Sequence, residues 1–257
     1  MNSKMRFLAI PFLFFSFLMS SAKSVTYNVQ SYGAKSDGRS DSTKSFQNAW
    51  AAACASVEPA TIYVPRGRFL VGGASFPGKN CKNNAITIRI NGTLVAPSDY
   101  NVLGHTGNWL TFERTNGLSI YGGTLDGQGL VSGLAKTPAR IALKEQRYVS
   151  LGFYNSDNVL VRGLSSLNSQ IFHIILDGCK NTRLEEVKIS APENSRNTDG
   201  IHVQSSSGVA ITNSHIGTGD DCISLGPGSS NIWIENINCG PGHGIRYQNR
   251  KLIKSPL

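Results

Sequence analysis

The sequence predicts an all-β chain wound as a single-stranded parallel β-helix, and three observations carry that expectation. Polar turn segments recur at near-constant intervals. The stretches between them alternate apolar and polar residues. Helical periodicity is confined to one short segment near the start.

The repeat is clearest after residue 155. Ser156-Asp157-Asn158-Val159-Leu160-Val161 resembles Cys179-Lys180-Asn181-Thr182-Arg183-Leu184, Ser206-Ser207-Gly208-Val209-Ala210-Ile211 and Ser229-Ser230-Asn231-Ile232-Trp233-Ile234. The corresponding positions 158, 181, 208 and 231 are 23, 27 and 23 residues apart. A period of this size built from short strands is the signature of a solenoid of β coils. Ile232/Ile234 and Ile223/Leu225 show the period of two that strands require. Leucine-rich repeats share the period, but they need a helical half and a denser leucine pattern than this chain has.

The glycines fit sharp corners between strands: Gly122-Gly123, Gly127, Gly129, Gly217, Gly219, Gly226 and Gly228 fall where coils turn. Asn158, Asn181 and Asn231 fall at corresponding turns and are expected to stack along the solenoid, since asparagine tolerates the left-handed conformation. Thr43 to Ala55 is the helical exception. Phe46, Ala49, Trp50 and Ala53 share one face, and Ser42 is the expected N-cap. A helix there would cover the open strand edge at the N-terminal end of the solenoid.

Residues 1–24 read as a secretory leader. Lys4 and Arg6 precede an apolar run from Phe7 to Met19, and Ala22-Lys23-Ser24 supplies small residues for cleavage before Val25. The run is short for a membrane span, so no membrane association is expected once the leader is removed. Residues 25–257 then form one domain. Without Lys4, Arg6 and Lys23 it carries 22 basic and 16 acidic residues, a net charge of +6. A basic extracellular protein suits a polyanion such as an acidic polysaccharide. No basic run interleaved with aromatics points to nucleic acid.

The compartment implied by the leader favours disulfides. Cys54–Cys81 and Cys222–Cys239 are the expected pairs among five cysteines, though spacing does not fix the connectivity, and Cys179, in apolar surroundings, is expected as a buried thiol. Zinc-ligand spacing is absent, and no metal or cofactor is expected. Asn91-Gly92-Thr93 is a glycosylation acceptor.

The chemistry concentrates between residues 197 and 244. Asn197-Thr198-Asp199-Gly200, Gly219-Asp220-Asp221-Cys222 and Gly242-His243-Gly244 follow one another, with Asp199 and Asp220 21 residues apart and Asp220 and His243 23 apart. If each interval is one coil, Asp199, Asp220 and His243 stack on one wall. Asp221 joins them only if the chain bends, because adjacent residues of a flat strand face opposite ways. Crowded carboxylates raise the pKa of at least one member. That leaves an acid to protonate a leaving sugar oxygen and carboxylates to activate water.

With these motifs, Tyr27-Asn28-Val29, Tyr32-Gly33-Ala34-Lys35, Ile62-Tyr63-Val64-Pro65, Gly123-Thr124-Leu125-Asp126-Gly127-Gln128-Gly129 and Leu164-Ser165-Ser166-Leu167-Asn168-Ser169 complete a pattern. It resembles the plant polygalacturonases, the pectin-hydrolysing enzymes of glycoside hydrolase family 28, over about 25–130 and 151–245. The resemblance implies a right-handed β-helix and a monomeric, metal-independent, inverting hydrolase. Its substrate would be the α-1,4-linked galacturonan of pectin, and its place the plant cell wall. By motif, Asp220 matches the general acid, Asp199 and Asp221 the pair that activates water, and His243 the histidine beside them.

Two stretches depart from the family's pattern, 130–150 and 246–257, and both read as splice or reading-frame variants. The relatives continue for several coils with an Arg-Ile-Lys motif that binds the substrate carboxylate. Here Arg246-Tyr247-Gln248 follows the last motif, and Lys251-Leu252-Ile253-Lys254 comes too soon to substitute. A domain lacking its C-terminal coils is therefore expected, with its substrate-binding residues unassigned. A catalytically inactive pectin-binding protein is the alternative. A calcium-dependent lyase on the same solenoid fits the motifs less well.

Overall fold

A computed structural model describes residues 24–103, 107–129 and 148–248. The expected leader (save Ser24), most of the divergent stretch 130–150 and the tail from 249 onward lie outside the described residues.

The described chain is a parallel β-helix. Each coil contributes short strands to three faces, and every strand pairs in parallel with its counterpart one coil away. The first face runs from Val25–Asn28 through Ala60–Val64, Ile86–Ile90, Leu118–Tyr121, Asp157–Arg162 and Lys180–Glu185 to the long strands Ser207–Gly217 and Ser230–Cys239. Those two long strands bend onto the second face, which otherwise holds Asp37–Asp41, Arg68–Leu70, Thr93–Val95, Thr124–Asp126, Ser165–Leu167 and Lys188–Ser190. The third face is a separate seven-stranded sheet: Ala74–Pro77, Asn108–Glu113, Val149–Tyr154, Ile174–Asp177, Ile201–Gln204, Ile223–Leu225 and Ile245–Tyr247.

The alternation in the sequence explains the core. Inward positions of successive coils stack in register as Ile62, Ile88, Ile120, Val161, Leu184 and Ile211 on the first face. On the third face, Leu110, Leu151, Ile174, Ile201 and Ile223 do the same. All are buried, and each fully buried side chain of this kind contributes about 1.5–3 kcal/mol relative to exposure.

The helix spans Thr43–Ala55 and packs its predicted face inward, with Phe46, Ala49, Trp50 and Ala53 all buried. Trp50 meets Phe76 and Phe112 edge-on at 5.6 and 5.5 Å, and Phe76, Phe112 and Phe153 stack through successive coils. The Cys54–Cys81 disulfide ties the helix end to the next coil. The cap itself differs from expectation. The Ser42 hydroxyl accepts the Lys35 N–H at 3.1 Å and makes no bond to the helix. Asp41 Oδ1 accepts the Thr43 N–H instead, because a carboxylate one residue earlier outcompetes a hydroxyl already engaged.

The asparagine ladder also differs. Asn158 donates to Asn116 at 2.7 Å and Asn181 to Asn158 at 2.5 Å. Asn231 does not join, because the intervening position is Gly208, which has no side chain to pass the ladder on. Asn158, Asn181 and Asn231 all adopt positive φ, so turn conformation selects asparagine there even where the stack is broken. Cys179 is the free, buried thiol, and burial pushes it up to about 11.

Candidate active site

The candidate residues lie where the chain enters the last three strands of the third face. Asp199 precedes Ile201–Gln204, Asp220 and Asp221 precede Ile223–Leu225, and His243 precedes Ile245–Tyr247. The parallel register puts Ile201 beside Ile223 and Ile223 beside Ile245. Counting back two residues, the equivalent rungs are Asp199, Asp221 and His243. The expected one-coil pairing of Asp199 with Asp220 is therefore corrected: Asp221 holds that rung and Asp220 sits one residue upstream.

Asp220 still reaches the cluster because the chain bends there. Its Oδ1 accepts the backbone N–H of Asp221 at 2.9 Å, folding the carboxylate back over the strand entrance. Glycine permits the bend. A Cβ on Gly219 would lie 1.9 Å from the Ser195 carbonyl oxygen, and one on Gly200 would lie 2.4 Å from Ile216 Cγ2. Thr198 braces the same loops, accepting the Gly219 N–H at 3.1 Å and donating to the Ser195 carbonyl at 2.7 Å. The Cys222–Cys239 disulfide anchors the residue after the two aspartates.

His243 Nδ1 lies 3.3 Å from Asp220 Oδ1, and its backbone N–H donates to the Asp220 carbonyl at 2.9 Å. One ligand atom each from Asp220, Asp221 and His243 falls within 4.8 Å of the others, a spacing that would suffice for a small cation. Asp221 is buried. Arg246 Nε lies 2.5 Å from its Oδ2, an ion pair without hydrogen-bond alignment. Asp199 is buried too, and its Oδ2 accepts the Ser224 hydroxyl at 2.6 Å. Burial pushes the Asp199 carboxyl above the usual carboxylate range and the charges of Asp220 and Asp221 add to this, while Ser224 and His202 oppose it. A proton-hungry buried carboxylate beside two others and an exposed histidine is equipped for general acid–base work.

Four participants escaped the sequence reading: Arg246, Ser224, His202 and Gln204. His202 and Ser224 each follow an aspartate by three residues, on the outward side of their strands. That repeated spacing is the signal that could have found them. Arg246, read from sequence only as a departure, pairs with Asp221 because it is the outward residue of the next coil.

Residues 54–247 match the family model described as glycosyl hydrolases family 28. The chain is 54% identical to a polygalacturonase of Prunus persica, covering 91% of this chain and 59% of the relative. It is 42% identical to an exopolygalacturonase of Platanus acerifolia, covering 89% and 61%. The chain thus spans about three fifths of the length of the curated relatives it matches. Among solved structures, the polygalacturonase from Erwinia carotovora ssp. carotovora superposes with a TM-score of 0.72 at 24% identity, over 96% of this chain and 70% of that one. The endo-xylogalacturonan hydrolase from Aspergillus tubingensis gives 0.71 at 21% identity, over 88% and 60%. At such identities these two structures speak for the fold.

Proposed function

Since the chain belongs to glycosyl hydrolases family 28, we propose that it is a secreted, monomeric polygalacturonase of the plant cell wall that cleaves α-1,4-galacturonosyl linkages of pectin with inversion. The observation that carries this is the convergence of Asp220, Asp221 and His243 at one strand entrance, with Asp199 on the equivalent rung of the coil before. In this reading Asp220, the carboxylate with the freest access, protonates the leaving oxygen. Asp199 and Asp221 orient and deprotonate the attacking water on the opposite side of the sugar ring. His243, whose Nδ1 lies 3.3 Å from Asp220 Oδ1, holds that carboxylate in place. The net positive charge favours a polyanionic substrate.

The test is release of reducing ends from de-esterified polygalacturonate, with the product anomer followed by proton NMR. The α-linked substrate should yield the β-anomer first. An α-anomer would overturn inversion, and an unsaturated product would indicate a lyase.

One observation favours a second reading. The Arg246 guanidinium occupies the Asp221 carboxylate that water activation needs. A chain so blocked would bind pectin without cleaving it, seen as salt-sensitive retention on pectin with no product.

A further inference from the structure

Behind Asp199 the outward side chains of the third face form a continuous chain of hydrogen bonds. The Ser224 hydroxyl lies 2.6 Å from Asp199 Oδ2, and His202 Nδ1 lies 2.7 Å from Ser224 Oγ. His202 Nε2 lies 3.3 Å from Gln204 Oε1, and Gln204 Nε2 donates to Asp177 Oδ2 at 2.8 Å. The Phe172 ring stacks on the imidazole at 5.1 Å and holds its plane.

The chain has a carboxylate at each end, so its protons can be counted. A serine hydroxyl has one hydrogen. If Ser224 gives it to Asp199, the contact at His202 Nδ1 needs a hydrogen on the ring. At the far end, the Asp177 carboxylate accepts and cannot donate, so the Gln204 amide nitrogen must face it. A flipped amide would set oxygen against oxygen. That leaves Gln204 Oε1 toward Nε2, and this contact also needs a hydrogen on the ring.

We propose that His202 is a positioning residue, a doubly protonated imidazole held between Ser224 and Gln204 that keeps the Asp199 carboxylate ionised and aimed at the attacking water. The water-activating part rests on the hydrolase reading above; the protonation part does not. Charged and titratable groups face the ring from both neighbouring coils. Asp177 faces it from the preceding coil, with Tyr154 beyond; burial holds that phenol above its ordinary range, so it stays neutral. Asp199 faces it through Ser224, with Asp220 and Asp221 behind. Arg246 and His243 lie against Asp221 and Asp220 respectively. The competing arrangement moves one proton to Asp199, which would donate to Ser224, which would donate to a bare Nδ1 of a neutral ring. It keeps every contact but disarms Asp199 as a base.

Two measurements decide between them. Long-range proton–nitrogen correlation spectra of the purified protein near pH 6.5, with His202 assigned by its absence in His202→Gln, should show hydrogens on both ring nitrogens. One unprotonated nitrogen overturns the proposal, whether or not the protein has activity. In the pH profile of kcat/KM on polygalacturonate, Ser224→Ala and His202→Gln should move the acidic limb upward by roughly one unit, with Ser224→Thr restoring it. A fall in rate with the limb unmoved would mean a structural role only and would also sink the idea. Absence of reducing ends from the unmodified chain would overturn the hydrolase reading and leave the spectra to decide the charge of His202.

Discussion

Asp199 carries the sharpest conflict of interests in the molecule. Its carboxyl is buried beside two other aspartates, which favours the proton, yet the base role proposed for it requires the proton to be absent. A carboxylate whose folded pKa is raised costs stability above its unfolded value, and that cost disappears as pH falls through the raised value. Asp199→Asn should therefore raise the melting temperature at pH 7 while abolishing product release, measured by calorimetry and a reducing-end assay. Asp220→Asn should lower kcat about 10²–10⁴-fold with an unchanged circular dichroism spectrum. His173 shows the opposite sign. It is wholly buried, its Nδ1 lies 2.9 Å from Ser166 Oγ, and burial lowers it to about 3. Its neutral form is native, so it takes up no proton until far below its unfolded pKa of ~6.5. It therefore withdraws stability as pH falls from about 6.5 toward 3. Between pH 7 and 4.5, His173→Leu should lose about 2 kcal/mol less than the unmodified chain in urea titrations.

At the scale of elements, the helix Thr43–Ala55 is where local and long-range forces agree. Its apolar stripe was legible in the sequence because a period near four needs no knowledge of the partner. What it packs against was not, since the Phe76, Phe112 and Phe153 stack is assembled from three coils. Trp50 bridges the two, donating its indole N–H to the Pro77 carbonyl at 3.0 Å. Trp50→Ala should cost about 3–5 kcal/mol, and loss of the Cys54–Cys81 bond about 2–4 kcal/mol, both read from denaturant midpoints. A Trp50→Ala cost below about 1 kcal/mol would show that the helix lies on the solenoid without stabilising it.

Across the whole molecule, cohesion passes from coil to coil. Inner coils are covered on both sides, as the buried pattern of Val149–Tyr154 shows. In a solenoid stability is a sum of nearest-neighbour terms, so hydrogen exchange should be graded. Amides of Val149–Tyr154 should exchange at least ~10-fold more slowly than those of the exposed corner at Glu193 and Asn194. Equal protection would contradict coil-by-coil cohesion. Among the described residues no helix is long and apolar enough to cross a membrane.

Period and composition alone determined that this chain is a solenoid of short strands, where its helix begins and ends, and which segment bears the acids. Those properties are written in spacing along the chain, because one coil repeats the environment of the last. Tertiary structure decided the rest. It set Asp221 rather than Asp220 opposite Asp199, brought Arg246 onto Asp221, and lined up Ser224, His202 and Gln204 behind the site. Register between coils depends on how tightly each corner turns, and side-chain contacts across coils depend on register. A one-residue difference at the Gly219 bend, invisible in any local window, therefore selects which carboxylate meets which partner.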